Sequence, residues 1–254
     1  MTTIIVGGGS GTSFLASVMN ASYLVSVFDS GGSTGILRSG TPAVGDVRKV
    51  LSALGANLEY RPGTHPVGNL LLQSRLNAGD TILESINYVR RMHNIASKVY
   101  PITLSDRHLV GEYDNVTLVG EHLIDTTTKH GNPLSVRLDQ PARMCRVPKH
   151  TNVVIAPGDV WSSIIANFLV EGFQDWVKGS NLILCVNNKQ KIGETQGWDL
   201  AKYVSIIEQY LGRRVDVIIA DENTEFTGDD PRLYKYDLQN RPELYKEAIC
   251  KHTL

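Results

Sequence analysis

Two glycine-rich turns, each directly behind a short apolar run, constrain this chain more than any other feature. Residues 3–6 lead into Gly7-Gly8-Gly9-Ser10-Gly11-Thr12-Ser13, and residues 24–28 lead into Asp29-Ser30-Gly31-Gly32-Ser33-Thr34-Gly35. Apolar runs of this length read as buried strands, so both turns are expected to open at one sheet edge. An anion would meet bare backbone there. Glycine lets a phosphate approach closely, and loop amides backed by the positive end of a following helix attract negative charge without a lysine. The first expectation is therefore a nucleotide-binding protein.

The rest of the composition narrows the class. With 254 residues and 42% hydrophobic content, the chain can bury a substantial core, as one large domain or two intimate ones. A formal net charge of -1 excludes a global basic surface, so long nucleic acid is not an expected partner. Cys145, Cys185 and Cys250 lack the paired spacing of a zinc site or disulfide framework, which suits a reducing cytoplasm. No basic segment with an apolar signal core opens the chain, and no stretch approaches the roughly 18 apolar residues of a membrane span. A cytoplasmic protein that is neither exported nor inserted is expected.

Hydrophobic periodicity gives the organisation. Helices are expected over 12–20, from Val47 to Leu58, from Gly68 or Asn69, and after Asp80 as far as Asn94, with Asp46 capping the second of these. Residues 30–44, with four glycines and Pro42, read as a long functional loop. A strand over 98–103 closes this half. Residues 104–150 carry strand-like pieces at 115–119, 122–125 and 135–138 among polar turns, and read as a β-rich insertion or lid. Strands at 151–156, 181–186 and 215–220 then alternate with helices at 162–171 and 198–211. Residues 222–254 form a polar extension with a helix after Pro242. This rhythm predicts a single α/β domain over 1–254, Rossmann-like and doubly wound, with a mostly parallel sheet.

Several chemistries compete for the first turn. Gly7 and Gly9 fit the dinucleotide fingerprint G-x-G-x-x-G, but Thr12 stands at its third glycine; Asp29 lies where a ribose-binding acid belongs. An NAD-dependent oxidoreductase is thus one rival, and a ligand-free tight turn is another. A Walker loop is excluded because no lysine follows the glycines. A dinucleotide fold has no use for Gly31, Gly32 and Gly35, so something else approaches the second turn. Asp29 and Asp46 flank it and are candidates to share Mg²⁺, although Asp46 is equally explained as a helix cap. Arg38 and Arg48 have the fork geometry for phosphate oxygens, or are simply solvated. The histidines show no metal-ligand spacing, and Ser162 and Ser163 lack the G-x-S-x-G turn of a hydrolase nucleophile.

Together these residues resemble a known family, the phospholactate transferase and YvcK-like group, or CofD-like family. Its GGGTG, DDGGSSGRLR, PPGDIR and GH-x-x-GNLLL segments are similar to residues 7–11, 29–38, 43–48 and 64–72. Its VLPVT, GE-x-x-I, GPGSLYTSI-x-PNLLV-x-GI and N-x-x-TQ-x-GET segments resemble residues 99–103, 120–124, 156–173 and 187–195. The likeness runs from residue 3 to about 220 and is closer to the YvcK-like branch.

In the transferase branch, the resemblance implies transfer of a phospholactyl group from a guanosine-linked donor to a deazaflavin precursor with Mg²⁺, the metal-binding carboxylates mapping onto Asp29 and Asp46. In the YvcK-like branch, it implies binding of UDP-N-acetylglucosamine and a role in central carbon metabolism and cell-envelope or cell-shape control. The expected partner is a nucleotide or nucleotide sugar, with Mg²⁺ the one cofactor to consider and a homo-oligomer compatible with the likeness. Gly8, Gly9, Ser10, Gly11 and Thr12 are expected at the phosphates, helped by Gly31, Gly32, Ser33, Thr34 and Arg38. His65, Asn69, Asn187 and Thr195, beside Glu194, are expected to orient the rest. Departures from the pattern include Ser30 for an Asp, Ile36 for an Arg, Ala156 for a Gly, Asp159 for a Ser and Ala166 for a Pro, with Lys189, Gln190 and Lys191 disturbing the TQ segment. Asp159 is expected to cap the amides of residues 162 and 163.

Overall fold

The apolar run before the first glycine turn forms β1 (Thr3–Gly7) in a computed structural model that describes residues 2–254. It is followed by α1 (Gly9–Val18), β2 (Ser22–Val25), α2 (Gly32–Leu37), α3 (Gly45–Ala53), α4 (Val67–Asn77), α5 (Ile82–Met92) and β3 (Val99–Pro101). The insertion contributes β4 (Leu109–Glu112), β5 (Thr117–Val119), α6 (Glu121–Thr126) and β6 (Ser135–Leu138). The second half holds β7 (Asn152–Ile155), a π-helical turn (Val160–Ile165) running into α7 (Ala166–Phe168), α8 (Phe173–Trp176), β8 (Asn181–Cys185), α9 (Leu200–Leu211), β9 (Val217–Asp221), β10 (Leu233–Tyr236) and α10 (Leu244–Lys251).

Seven parallel strands form one sheet in the order β10-β9-β8-β7-β1-β2-β3. The order explains the composition of the strands. Ile4, Ile5, Tyr23, Leu24, Val154, Ile183 and Leu184 are fully buried because helices cover both faces, which is why the central strands read as unbroken apolar runs. The chain winds outward from β1 to β3, then returns to the other side of β1 and winds away through β7 to β10. The winding direction therefore reverses between β1 and β7. At such a switch point the two carboxyl-end loops diverge and leave a crevice, the usual ligand position in this architecture.

Helix signals behave as the residues dictate. Thr81 and Glu84 make a reciprocal capping box at α5, and Asp199 accepts from the Lys202 amide to start α9. The insertion folds into an antiparallel sheet, β5-β4-β6, and α6 buries Ile124 against it. Among the described residues no helix is long and apolar enough to cross a membrane.

Several expectations need correcting. Residues 122–125, read as a strand, lie in α6; a run of four residues is too short for a period of two to be told from one of 3.6. The 30–44 loop contains α2, whose Gly-Ser-Thr-Gly sequence has poor helix propensity and depends on tertiary contacts made by Ser33 and Thr34. Asp46 is in the first turn of α3 rather than at the capping position, which Val44 occupies. The polar extension beyond residue 222 supplies β10, paired in parallel with β9.

That extension is anchored by fully buried Asp221, whose carboxylate accepts from the Asn223 amide at 2.8 Å and the Gln239 amide at 2.6 Å. Asp221→Ala leaves both amides without their acceptor and is expected to cost about 2–3 kcal/mol. A lowered urea midpoint with an unchanged m value measures this.

Candidate functional site

The first glycine turn and the loop after β7 meet at the switch point. Gly9 begins α1 with φ +65°, a backbone state that disfavours side chains, and a β-carbon at Gly11 would fall 1.9 Å from the Pro157 carbonyl oxygen. Only glycine lets these loops touch. Asn187, just beyond β8, clasps the second loop from its far side: its Oδ1 accepts from the Gly158 amide and its Nδ2 donates to the Gly158 carbonyl, each at 2.7 Å. The cavity enclosed is about 200 Å³, lined by Gly8, Gly9, Ser10 and Gly11, by residues 157–159, and by Ser163 and Asn187. No side chain caps the start of α1. This wall is mostly backbone, with Asp159 at its edge.

A second cavity of about 230 Å³ shares Gly9, Ser10, Asp159 and Ser163 with the first. Its other wall is charged, with Asp29, Asp46, Lys49, Glu121, His122 and Asp125. Asp46 lies against the glycine turn, since a β-carbon at Gly8 would be 2.7 Å from its Oδ2. Lys49 Nζ sits 3.0 Å from Asp46 Oδ1, and the Asp46 charge raises the lysine above its ordinary value. Burial, with Asp46 beside it, raises the Asp29 carboxyl. Burial, with Asp29, Asp125 and Asp46 nearby, pushes Glu121 up to about 9. A larger cavity, about 520 Å³ and bounded by Phe168, Gly172 and Tyr210 among others, shares no residue with these two.

A third group closes the far side. Asp125, Asp159 and Glu194 bring carboxylate oxygens within 4.8 Å of one another, with Lys191 paired to Asp125 and, at 2.9 Å, to Asp159. Burial alone would lower Lys191, but Glu194, Asp125 and Asp159 outweigh it and keep the ammonium protonated. Glu194, buried and facing Asp159, is pushed up to about 8 while accepting from the Val160 amide at 3.0 Å. Asp159 makes no side-chain cap at the turn it precedes, contrary to expectation, because Lys191 and Asp125 hold its carboxyl instead.

The remaining expected residues divide. Thr12 is buried and donates to the Gly8 carbonyl at 3.1 Å, bracing the turn. Ser33, Thr34, His65 and Asn69 come together, with Ser33 Oγ 2.9 Å from His65 Nδ1 and Asn69 Nδ2 donating to Ser33 Oγ at 3.1 Å. Gly31 donates its amide to Asp29 Oδ1 at 2.8 Å, and Gly32 has open space where a side chain would stand. Neither glycine, nor Ser33 or Thr34, lines the two cavities. Arg38 is spent on structure: its Nε donates to Asp106 at 2.7 Å and to the Thr41 carbonyl at 3.1 Å. Arg48 likewise holds Asn69 Oδ1 at 2.9 Å and pairs with Glu59. Thr195 is buried and accepts from the Lys191 amide at 2.9 Å, so it shapes that loop from behind. Asp29 accepts from the Gly31 amide, lies beside Asp46 and lines the second cavity.

Sequence reasoning missed Lys49, Glu121, Asp125 and Lys191 as site residues. Two signals were present: Lys49 follows Asp46 at the i,i+3 spacing of a helical ion pair, and Glu121 falls in the Gly-Glu segment shared with the resembling family.

The family described as "2-phospho-L-lactate transferase CofD" matches residues 3–253. This chain belongs to the CofD family. A Listeria monocytogenes protein named "Gluconeogenesis factor" is 26% identical over 284 residues, covering 99% of this chain and 88% of that one. A Thermotoga maritima relative is 30% identical over 251 residues, covering 87% and 79%. The crystal structure of a UPF0052 family member from Bacillus halodurans superposes with a TM-score of 0.77 at 28% identity, covering 87% of this chain and 80% of that one. CofD-family resemblance brought Mg²⁺ with it. Asp29 and Asp46 offer the hard oxygen donors this ion takes, but an ammonium 3.0 Å from Asp46 Oδ1 competes for the same charge. Lys49 already supplies a positive charge beside Asp46.

Glu121 generates a pH prediction. Its folded value of about 9 lies above the ordinary 4.5, so the folded protein holds a proton that the unfolded chain releases in between. Stability contributed by this group is present below 4.5 and is lost as pH rises toward 9. Glu121→Gln is expected to raise the melting temperature at pH 8 and to flatten its decline across that window, as differential scanning calorimetry reads directly.

Proposed function

We propose that this protein binds a nucleotide sugar, UDP-N-acetylglucosamine being the compound the family resemblance points to, and acts as a regulator of central carbon metabolism or of cell-envelope and cell-shape control. One observation carries the reading: an amide-lined cavity and a carboxylate-lined cavity share the wall formed by Gly9, Ser10, Asp159 and Ser163. Backbone amides suit a diphosphate. Carboxylates only accept hydrogen bonds when ionised, and a sugar supplies hydroxyl and amide donors in return. A ligand with phosphate at one end and a neutral polyhydroxyl group at the other complements both walls. The "Gluconeogenesis factor" name of the Listeria relative supports the regulatory half.

A transferase reading draws on the family description and on Asp29 lying beside Asp46 at the glycine turn. It expects product from a nucleotide-linked phospholactyl donor and a deazaflavin precursor, lost in Asp46→Asn. The Lys49 ammonium on Asp46 weighs against it.

Thermal shift separates these readings. UDP-N-acetylglucosamine at a hundredfold excess over its Kd is expected to raise the melting temperature by about 5–10 °C, with no shift from NAD or guanosine nucleotides. Asn187→Ala, which releases the Gly158 loop, is expected to reduce that shift sharply. Equal shifts with all three ligand classes, or none, would remove the proposal.

A further inference from the structure

Lys49 lines the second cavity, which shares Gly9 and Ser10 with the first. Its side chain is 37% exposed, its Nζ is held by Asp46, and Asp46 is pressed on the first glycine turn at Gly8. A diphosphate seated on Gly9 and Ser10 has Asp29, Asp46 and Asp159 within the surrounding walls. Like charges gathered in a partly desolvated cleft repel strongly, so a cation must stand among them. Mg²⁺ would ordinarily do this, yet the donor set already contains an ammonium. We infer that Lys49 takes the metal's place: it neutralises Asp46 and offers its remaining N–H groups to the diphosphate of a nucleoside diphosphate, so that binding needs no divalent cation. This rests on the nucleotide reading above.

The chemistry of lysine suits the task. An ammonium has three donors, and one bond to Asp46 Oδ1 leaves two for phosphate oxygens. Its partial exposure keeps those donors accessible, and its position is set from α3, which packs against α1, the helix that the glycine turn opens. The arrangement delivers a lysine to a glycine-rich turn from a neighbouring helix instead of from the turn's own sequence.

Calorimetric titration with uridine diphosphate, in EDTA and in excess Mg²⁺, tests this on the intact chain. The natural protein is expected to bind with similar affinity in both. Lys49→Met is expected to bind about tenfold or more weakly in EDTA, the loss of a charge-assisted contact. Mg²⁺ should restore its binding, because Asp46 is then free to hold the ion. Lys49→Arg, which keeps the charge, should bind in EDTA and serves as the control for folding. A natural protein that binds only with Mg²⁺ would overturn the inference while sparing the nucleotide reading. So would Lys49→Met binding unchanged in EDTA. If uridine diphosphate binds the natural protein in neither buffer, the nucleotide reading falls and this inference with it. Mg²⁺ alone also reports: a melting shift in Lys49→Met but not in the natural protein is expected, and the reverse pattern overturns the role of Lys49.

Discussion

Contact between the first glycine turn and the Pro157 carbonyl is the constraint on which the site depends. A β-carbon on Gly11 would stand 1.9 Å from that oxygen, so even a methyl group is excluded. The two loops leave strands that lie side by side, and the sheet alone would let them splay apart at the switch point. Asn187 completes the closure by bonding both polar groups of Gly158. Parallel strands bring the three pieces to one edge, and small residues then let them approach. The cavity follows from this closeness, because its walls are backbone surfaces no side chain separates.

Charge is distributed unevenly around that crevice. One wall offers amides, while the other collects carboxyls whose proton affinity is raised by burial and by one another, Glu121 most clearly. Lys49 and Lys191 each sit against two or more of these groups, so the acidic wall is largely paired rather than open. Such pairing changes the chemistry that the wall presents. A wall of bare carboxylates offers only acceptors, whereas a wall of paired and protonated ones offers donors as well.

Much of the fold was legible in the sequence. Central strands announce themselves because both faces are covered and every position is apolar, as in residues 4–6 and 182–185. Helices with a clear inward stripe, such as α5 with Ile82, Ile86 and Val89, were equally plain. β10 was not, because Leu233–Tyr236 is a half-exposed edge strand bearing Lys235 and lacks an apolar pattern. α2 was hidden for the opposite reason: its own residues disfavour a helix, and Asn69 from α4 helps hold it. In the site, the glycine turns were visible as local sequence. Asp125 and Lys191 were not, since they meet each other and Asp159 only after three separate segments have folded. Arg38 shows the converse. A basic residue next to a glycine turn looked available, and only the partner Asp106, far along the chain, reveals it as a strut.

The insertion's short helix has a significance beyond covering the sheet edge. Glu121 and His122 from α6 engage Ser30, joining the second glycine turn to a small antiparallel unit with strand pairings of its own. Two of the five carboxylates lining the second cavity, Glu121 and Asp125, are therefore carried on a module outside the main sheet. Replacing a few residues there can change the lining of the second cavity without disturbing the strands that define the architecture. A scaffold divided in this way can keep its glycine-walled cavity through descent while the charged cavity beside it drifts.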